Sequence, residues 1–369
     1  MTSMPTYGFQ AILLAGLLGL FCLRKRTLDL YIAALIAFWT VAVIFIYWRF
    51  GADQINFYSN DQEWHWRILN QYLPWEGIRF NRDGLIGMRY LIILPAYFAT
   101  EAGFDGILFI KFTQLIYLVL IYRLGRRFLA RYSIQPKVWH LCLYCGPLMI
   151  FMSTLAMRDL AIGFFTASFI LERNHLIRIG GLLGTLLLRP HLAVALIVGW
   201  AIAKILSKMR PKFYYWSLFL GVIIMYTAGA FTYFVGSMIQ DGISFRTATN
   251  VFNQYKFTRF GANLMGLQFL TLSEFEVRAS IISLFLARAV FFDTFITPLA
   301  FLFVLLIPRP KLNELQVMVF MSFAFFYGLV SQTAWNSTRQ NIPFLISMGL
   351  LAIVGIHQSK MSRPKLGAA

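Results

Sequence analysis

The sequence predicts an all-α polytopic membrane protein with a single membrane domain over residues 1–369. Of its residues, 59% are hydrophobic, 17% aromatic and 13% charged, and the mean hydropathy is +0.67, which is more apolar than a soluble domain. The apolar runs approach the roughly 20 residues that a helix needs to cross a bilayer. Because a spanning backbone must satisfy its own hydrogen bonds, such runs favour helices over the alternating strands of a barrel. We expect about 11 membrane helices, including a short broken hairpin.

The basic residues carry topology information. The formal net charge is +18, but the Lys and Arg residues fall in short clusters between apolar runs rather than on a face with interleaved aromatics, which argues against a nucleic-acid partner. The positive-inside rule is satisfied if all these clusters face the cytoplasm. They lie at 24–26, 123–137, 173–178, 204–212, 309–311 and 360–365.

The cysteines and the N-terminus add little. Cys22, Cys142 and Cys145 lie in or beside apolar segments, so no disulfide framework is expected. The C-x-x-C pair formed by Cys142 and Cys145 has no second pair or histidine cluster that would complete a metal site. The first apolar run lacks a basic region before it, so we interpret it as a retained membrane helix.

The first membrane hairpin comprises segments 9–23 and 28–48 and delivers the chain to an outer loop at 49–106. We expect two helices in this loop, at 61–72 and 85–99, lying flat at the outer interface. A spanning role for 85–99 is the alternative, but it would place the arginines after 122 on the outside. The loop holds much of the acidic complement, namely Asp53, Asp61, Glu63, Glu76, Asp83, Glu101 and Asp105.

The middle of the chain predicts a re-entrant hairpin. Segments 107–122, 138–152 and 156–171 cross in turn, and 172–178 is expected to form a tight cytoplasmic turn. The run 179–205 begins and ends beside basic clusters, so it must enter and leave on one side. It is too short for two full spans, and we predict two short helices that meet at Leu188-Arg189-Pro190-His191. Non-helical backbone at this depth implies a surrounding cavity.

The last part predicts four further spans and a second outer loop. The spans are expected at 213–235, 280–307, 315–331 and 342–356, with the outer loop at 236–279 and a disordered cytoplasmic tail at 358–369. No internal repeat that would favour an inverted-repeat transporter is evident in the sequence.

Ionisable residues at membrane depth are the candidate site. A charged residue at the centre of a spanning helix costs at least about 2.5 kcal/mol on insertion scales, so each is a functional candidate. Arginine binds phosphate oxygens in bidentate geometry, and lipid phosphate is the anion naturally present near this depth. On the predicted topology all of them lie toward the outer face: Arg158, Asp159, Arg189, His191, Arg288, Asp293 and Arg339.

Each candidate has a structural alternative. Arg339, placed just before the last helix, is also suited to snorkelling at a helix end, and Arg158 with Asp159 to packing alone. Several of the loop acids are expected to be ordinary solvated charges. His65 alone is more often structural than catalytic.

Four short patterns stand out along the chain: Arg49-x-Gly51-x-Asp53-x-x-x-x-Tyr58, Ser153-Thr-Leu-Ala-Met-Arg158-Asp159, Arg189-Pro190-His191 and Arg339-Gln-Asn-Ile-Pro343. In this order they resemble the start of the first large loop, an arginine-bearing helix start, the later arginine and the entry to a late helix in the GT-C superfamily of membrane glycosyltransferases. Among these enzymes, the resemblance is to the EpsG-like and Wzy-type polysaccharide (O-antigen) polymerases.

The resemblance implies a transferase that uses polyprenyl (undecaprenyl) phosphate- or diphosphate-linked saccharides in cell-surface polysaccharide synthesis. It implies a bacterial inner membrane location, an active site facing the periplasm, no obligatory cofactor and polysaccharide-assembly partners. Asp53, Asp61, Glu63 and His65 are then the candidate catalytic residues. The candidate lipid-phosphate ligands are Arg49, Arg158, Arg189, His191, Arg288 and Arg339.

The exact function and the need for a divalent metal stay open at this point. A transferase with a polyprenyl-phosphate monosaccharide donor, an O-antigen ligase and a flippase for lipid-linked saccharides all fit much of the same pattern. A catalytic carboxylate near the arginines is what an enzyme needs and a flippase does not. The spacing Asp61-x-Glu63-x-His65 is compatible with a divalent metal but does not require one.

Overall fold

A computed structural model describes residues 3–56, 60–71, 89–206, 219, 223, 313–330 and 337–361. All regular secondary structure in these residues is helical, as predicted. We number the helices α1 Met4–Arg24, α2 Leu30–Phe50, α3 Asn60–Gln71, α4 Leu94–Glu101, α5 Gly106–Ala130, α6 Val138–Tyr144, α7 Pro147–Ser153, α8 Asp159–Leu171, α9 His175–Leu188, α10 Pro190–Leu206, α11 Asn313–Val330 and α12 Ser337–Met361.

Four helical stretches are long and apolar enough to cross a membrane: Met4–Arg24, Leu30–Ile55, Gly106–Ala130 and Ile342–Ser359. Shorter apolar helices pack among them. Two of the expected spans, 213–235 and 280–307, and the second outer loop lie outside the described residues. The predicted total of about 11 membrane helices therefore cannot be compared with the described part of the chain.

Ion pairs join several helix ends at one end of the bundle, which we call the basic end. Asp29 caps α2 by accepting a hydrogen bond from the Ile32 backbone N–H and also pairs with Arg126 of α5 at 2.7 Å. Glu172, after α8, pairs with Arg127 at 2.9 Å and with Arg131 at 2.5 Å. The basic clusters around 24–26, 123–131 and 173–178 therefore share one end, as the positive-inside rule predicts.

Glycines let neighbouring helices approach closely. A Cβ added to Gly181 of α9 would lie 2.7 Å from the Phe165 carbonyl oxygen of α8, and one added to Gly349 of α12 would lie 2.1 Å from the Leu143 carbonyl oxygen of α6. A Cβ on Gly199 of α10 would lie 2.0 Å from the Ser322 hydroxyl of α11. Small residues at such crossings are typical of helix packing in membranes.

The segment 138–152, predicted as one of the spans, is not one continuous helix. Two short helices, α6 and α7, replace it, because Gly146 and Pro147 interrupt the chain and proline removes a helical hydrogen bond. Helix α2 binds one carbonyl before α7 and one at its end. The Tyr31 hydroxyl donates to the Cys145 carbonyl oxygen at 2.9 Å, and the Trp39 indole N–H donates to the Ser153 carbonyl oxygen at 2.8 Å.

The described part of the first outer loop contains two helical segments. Helix α3 occupies the predicted 61–72 helix almost residue for residue. A π-helical turn, Arg89–Ile93, leads into α4 within the predicted 85–99 helix. Ile92, Ile93 and Ala96 are fully buried, and this segment packs against α3 and α5. One face of this segment is therefore covered by α3 and α5.

The two short helices predicted within 179–205 are present as α9 and α10, which meet at Arg189. Helix α9 begins at His175, so part of the predicted turn at 172–178 is helical, with Asn174 as its N-cap. The last helix is also longer than predicted. It includes Arg339 in its first turn rather than beginning after it, and it continues to Met361, into the predicted disordered tail.

Candidate functional site

Arg189 lies at the junction of α9 and α10, where the helical conformation is interrupted. Its backbone is extended (φ −156°, ψ 82°) at the end of α9, because Pro190 disfavours the helical conformation of the preceding residue. The side chain is only 5% exposed. Its guanidinium lies 5.8 Å from the ring centre of Phe326 on α11, a cation–π distance. The His191 ring stacks on the same phenylalanine, with centroids 5.7 Å apart and planes inclined by 14°.

Arg158 joins this junction from the neighbouring helix. It is the N-cap residue of α8, and its Nη1 donates to the Leu188 carbonyl oxygen at 3.3 Å. Leu188 immediately precedes Arg189, and His191 follows Arg189 by two residues. The structure therefore brings together three predicted ligands, Arg158, Arg189 and His191. We call these three residues, together with Phe326, the arginine tip.

The arginine tip is well removed from the basic end. Helix α8 has 13 residues and α9 has 14, so each helix is roughly 20 Å long at 1.5 Å per residue. The two arginines therefore lie at a similar level. With the basic end at a membrane surface, this level is past the middle of a hydrocarbon core about 30 Å thick. The sequence-based prediction placed both residues in that half.

His65 and Gln62 of α3 dock onto the segment that precedes Arg158. The Gln62 Oε1 accepts from the Ala156 backbone N–H at 2.8 Å, and the His65 Nδ1 lies 2.5 Å from the Ala156 carbonyl oxygen. Both side chains are buried. His65 was predicted as catalytic, but this nitrogen is engaged with the backbone. Gln62 was missed, since a glutamine in a polar loop helix gives no signal of its own.

The predicted carboxylates differ in their surroundings. Asp53 is exposed on a 3-10 turn, Gly51–Asn56, that follows α2. Glu63 forms an i,i+4 pair with Arg67 at 2.5 Å on the surface of α3, the arrangement of an ordinary solvated charge. Asp61 lies on α3, and its side chain is outside the described part of the structure. Within the described ranges, no group of three or more His, Cys, Asp or Glu residues is arranged to hold a metal.

The remaining predicted ligands have different outcomes. Arg49 is exposed at the end of α2, with its guanidinium 5.6 Å from the ring centre of the adjacent Phe50. Arg288 and Asp293 lie outside the described residues. Arg339 is described only by its backbone. Its helix α12 packs on α8, where a Cβ on Gly163 would lie 3.3 Å from the Ile342 side chain. Ile342, in the second turn of α12, therefore lies beside the second turn of α8, the helix that Arg158 caps.

Lys111 is a buried charge that the sequence reading did not single out. It is fully buried within α5, and its ammonium donates to the Gln54 Oε1 at 2.9 Å. The Tyr7 hydroxyl of α1 donates to the same oxygen at 3.2 Å. A lone lysine inside an otherwise apolar predicted span was the available signal, because lysine in such a segment is costly unless it has a partner.

Comparisons with protein-family models, with curated proteins and with solved structures give no match. The ligand class that the site can bind is therefore inferred from its geometry. Two arginines form a cationic group beside a histidine where α9 and α10 meet, in the half of the bundle away from the basic end. Such a group is suited to binding an anionic headgroup through charge-assisted hydrogen bonds.

Proposed function

We propose that the chain is a membrane glycosyltransferase that acts on polyprenyl phosphate- or diphosphate-linked saccharides, in the manner of polysaccharide polymerases. The observation that supports this proposal is the arginine tip, in which Arg158 of one helix start contacts the Leu188 carbonyl, the residue before Arg189, and His191 lies two residues further on. Arginine is the side chain best suited to phosphate oxygens. The arginine tip lies in the half of the bundle away from the basic end, the side from which the proposal has an outer-leaflet lipid phosphate enter.

The proposed role of the arginine tip is stabilisation of the leaving group. When the acceptor hydroxyl attacks the anomeric carbon, the bond from that carbon to the phosphate oxygen breaks, and negative charge grows on the departing lipid phosphate. Preorganised cations that meet this charge lower the barrier. Arg158 and Arg189 are fixed before substrate arrives, because Phe326 and the Leu188 carbonyl already hold them.

The acceptor hydroxyl also needs a general base that receives its proton. Among the candidates, Glu63 is paired with Arg67, and the His65 Nδ1 is engaged with Ala156. Asp53, which is exposed on its turn, and Asp61 are therefore the stronger candidates. Asp53→Asn and Asp61→Asn variants should separate them: the variant that loses the base should bind the lipid phosphate normally and fail in transfer.

Binding of farnesyl phosphate, a short-chain lipid phosphate, to the purified protein in nanodiscs tests the arginine tip. We expect Arg189→Ala to weaken binding by about tenfold or more, the loss typical of one charge-assisted hydrogen bond. Arg178→Ala is the matched control. Arg178 also donates to a carbonyl, that of Phe169 at 3.1 Å, and lies 5.3 Å from a phenylalanine ring, but near the basic end. Equal losses in both variants would contradict the proposal.

A transfer assay tests the reaction itself. A radiolabelled saccharide on undecaprenyl diphosphate is incubated with the protein in vesicles, and products are separated by glycan length. Growth of the lipid-linked glycan, lost in Arg158→Ala and Arg189→Ala, is the expected result. Movement of the labelled lipid across the vesicle membrane without any transfer would instead identify a flippase and would refute the enzyme proposal.

A further inference from the structure

The chain between α7 and α8 is a buried, non-helical stretch at the depth of the arginine tip. Leu155, Ala156 and Met157 are each at most 1% exposed. Backbone groups that leave a helix inside a membrane protein must find other partners. Both backbone groups of Ala156 have hydrogen-bond partners on α3: its N–H donates to Gln62, and its carbonyl oxygen pairs with His65.

We propose that Gln62 and His65 are positioning residues that set the location of the Arg158 guanidinium. The proposal depends on the proposed function, because it assumes that Arg158 binds the lipid phosphate. Gln62 and His65 themselves touch no reacting group. They act through Ala156, which lies two residues before Arg158 and is held by a hydrogen bond on each side of its own backbone.

The geometry makes Arg158 sensitive to this support. The distance from its Nη1 to the Leu188 carbonyl oxygen is 3.3 Å, slightly beyond the usual range for an N–H···O hydrogen bond. A shift of a few tenths of an ångström in the segment before Arg158 therefore breaks this contact and moves the guanidinium relative to Arg189. One hydrogen bond to each side of Ala156 restrains both displacement and rotation of that segment.

The chemistry of the two contacts specifies which substitutions retain them. A carbonyl oxygen only accepts, so the His65 Nδ1 must carry the proton. Asparagine places an N–H donor near the Nδ1 position, whereas leucine offers none. In the same way, Gln62→Glu keeps an acceptor oxygen for the Ala156 N–H, whereas Gln62→Leu removes it.

A double-mutant cycle on farnesyl phosphate affinity distinguishes positioning from general damage. We expect His65→Leu and Gln62→Leu each to weaken binding by about tenfold in the otherwise native protein. In an Arg158→Ala background the same changes should have little further effect, while in an Arg189→Ala background they should still weaken binding. His65→Asn should recover most of the loss. Full additivity with Arg158→Ala would overturn the proposal.

Hydrogen exchange over residues 154–157 separates this inference from the proposed function, because it needs no ligand. Faster exchange in His65→Leu and Gln62→Leu, with protection restored in His65→Asn and Gln62→Glu, is the expected result. Arg67→Ala, an exposed change on the same helix, should leave exchange unchanged. Unchanged exchange in both leucine variants overturns the positioning role even if the lipid phosphate binds. If exchange rises while the wild type binds no farnesyl phosphate, α3 supports the segment but the proposed function fails, and the role assigned to Arg158 fails with it.

Discussion

The Lys111 ammonium, fully buried in α5, lies 2.9 Å from the Oε1 of Gln54 on the 3-10 turn after α2. The Tyr7 hydroxyl of α1 donates to the same oxygen. Three segments distant in sequence therefore converge on one side-chain oxygen. Because Asp53 immediately precedes Gln54, this contact also fixes the turn that presents a candidate catalytic carboxylate.

Gln54→Leu should destabilise the protein by about 1–3 kcal/mol, because it removes the acceptor of a buried donor. Adding Lys111→Met removes the stranded ammonium and should recover part of the loss, since an apolar pair of similar size needs no hydrogen bond. Thermal unfolding in one detergent, followed by intrinsic fluorescence, measures both effects. A double variant no more stable than Gln54→Leu would argue against this pairing.

The adjacent glycines Gly180 and Gly181 provide a matched test of the α8–α9 contact. Gly181→Ala should cost about 1–3 kcal/mol, because its Cβ would lie 2.7 Å from both the Phe165 carbonyl oxygen and the Phe169 amide nitrogen. Gly180→Ala meets nothing within 4 Å and should be neutral or stabilising by up to about 1 kcal/mol. Unfolding midpoints of the two variants give the comparison. A reversed order would show that the helices do not cross at Gly181.

Trp39→Phe should destabilise the broken segment formed by α6 and α7. Phenylalanine preserves much of the ring but leaves the Ser153 carbonyl without the indole N–H that now donates at 2.8 Å, a loss of about 1–3 kcal/mol at a buried site. Trp48→Phe is the control, because Trp48 is 66% exposed. Site-resolved hydrogen exchange around residue 153 should rise in the first variant only.

Removing Glu172 should be more costly than removing Glu63. Glu172 is 4% exposed and pairs with Arg127 and Arg131, so its removal breaks two charge-assisted contacts of a buried carboxylate, a loss of about 1.5–3 kcal/mol. Glu63 pairs with one exposed arginine, and such surface pairs contribute less than about 1 kcal/mol. Unfolding of the two alanine variants tests the ranking. Loss of transfer in Glu63→Ala with stability intact would return Glu63 to the list of catalytic candidates.

The layout of the chain could be predicted where local chemistry decides it. Basic clusters at segment ends predicted the shared end, and the sequence Arg189-Pro190 between two short apolar runs predicted the hairpin tip. Arg158 and Arg189 were placed toward the same outer face from the predicted topology alone. The break within 138–152 was not predicted, because the strongly apolar composition outweighed Gly146 and Pro147.

Sequence patterns did not predict which side chains contact each other in the folded protein. Phe326 resembles any other apolar residue of its helix until His191 is seen to stack on it. Gln62 becomes interpretable only once the backbone of Ala156 is seen to need a donor and an acceptor. These contacts join residues far apart in the chain, so neither periodicity nor composition contains them.

The packing of Arg189 against Phe326 also bears on biogenesis. Phe326 belongs to α11 and is synthesised after the hairpin has left the ribosome. Arg189 therefore has no contact with the Phe326 ring until α11 is made. Until then, the Arg189 guanidinium lacks the Phe326 ring that covers it in the folded protein. Final seating of the hairpin is therefore a late event in assembly, and truncation of the chain before α11 should leave the tip accessible to quality-control proteases.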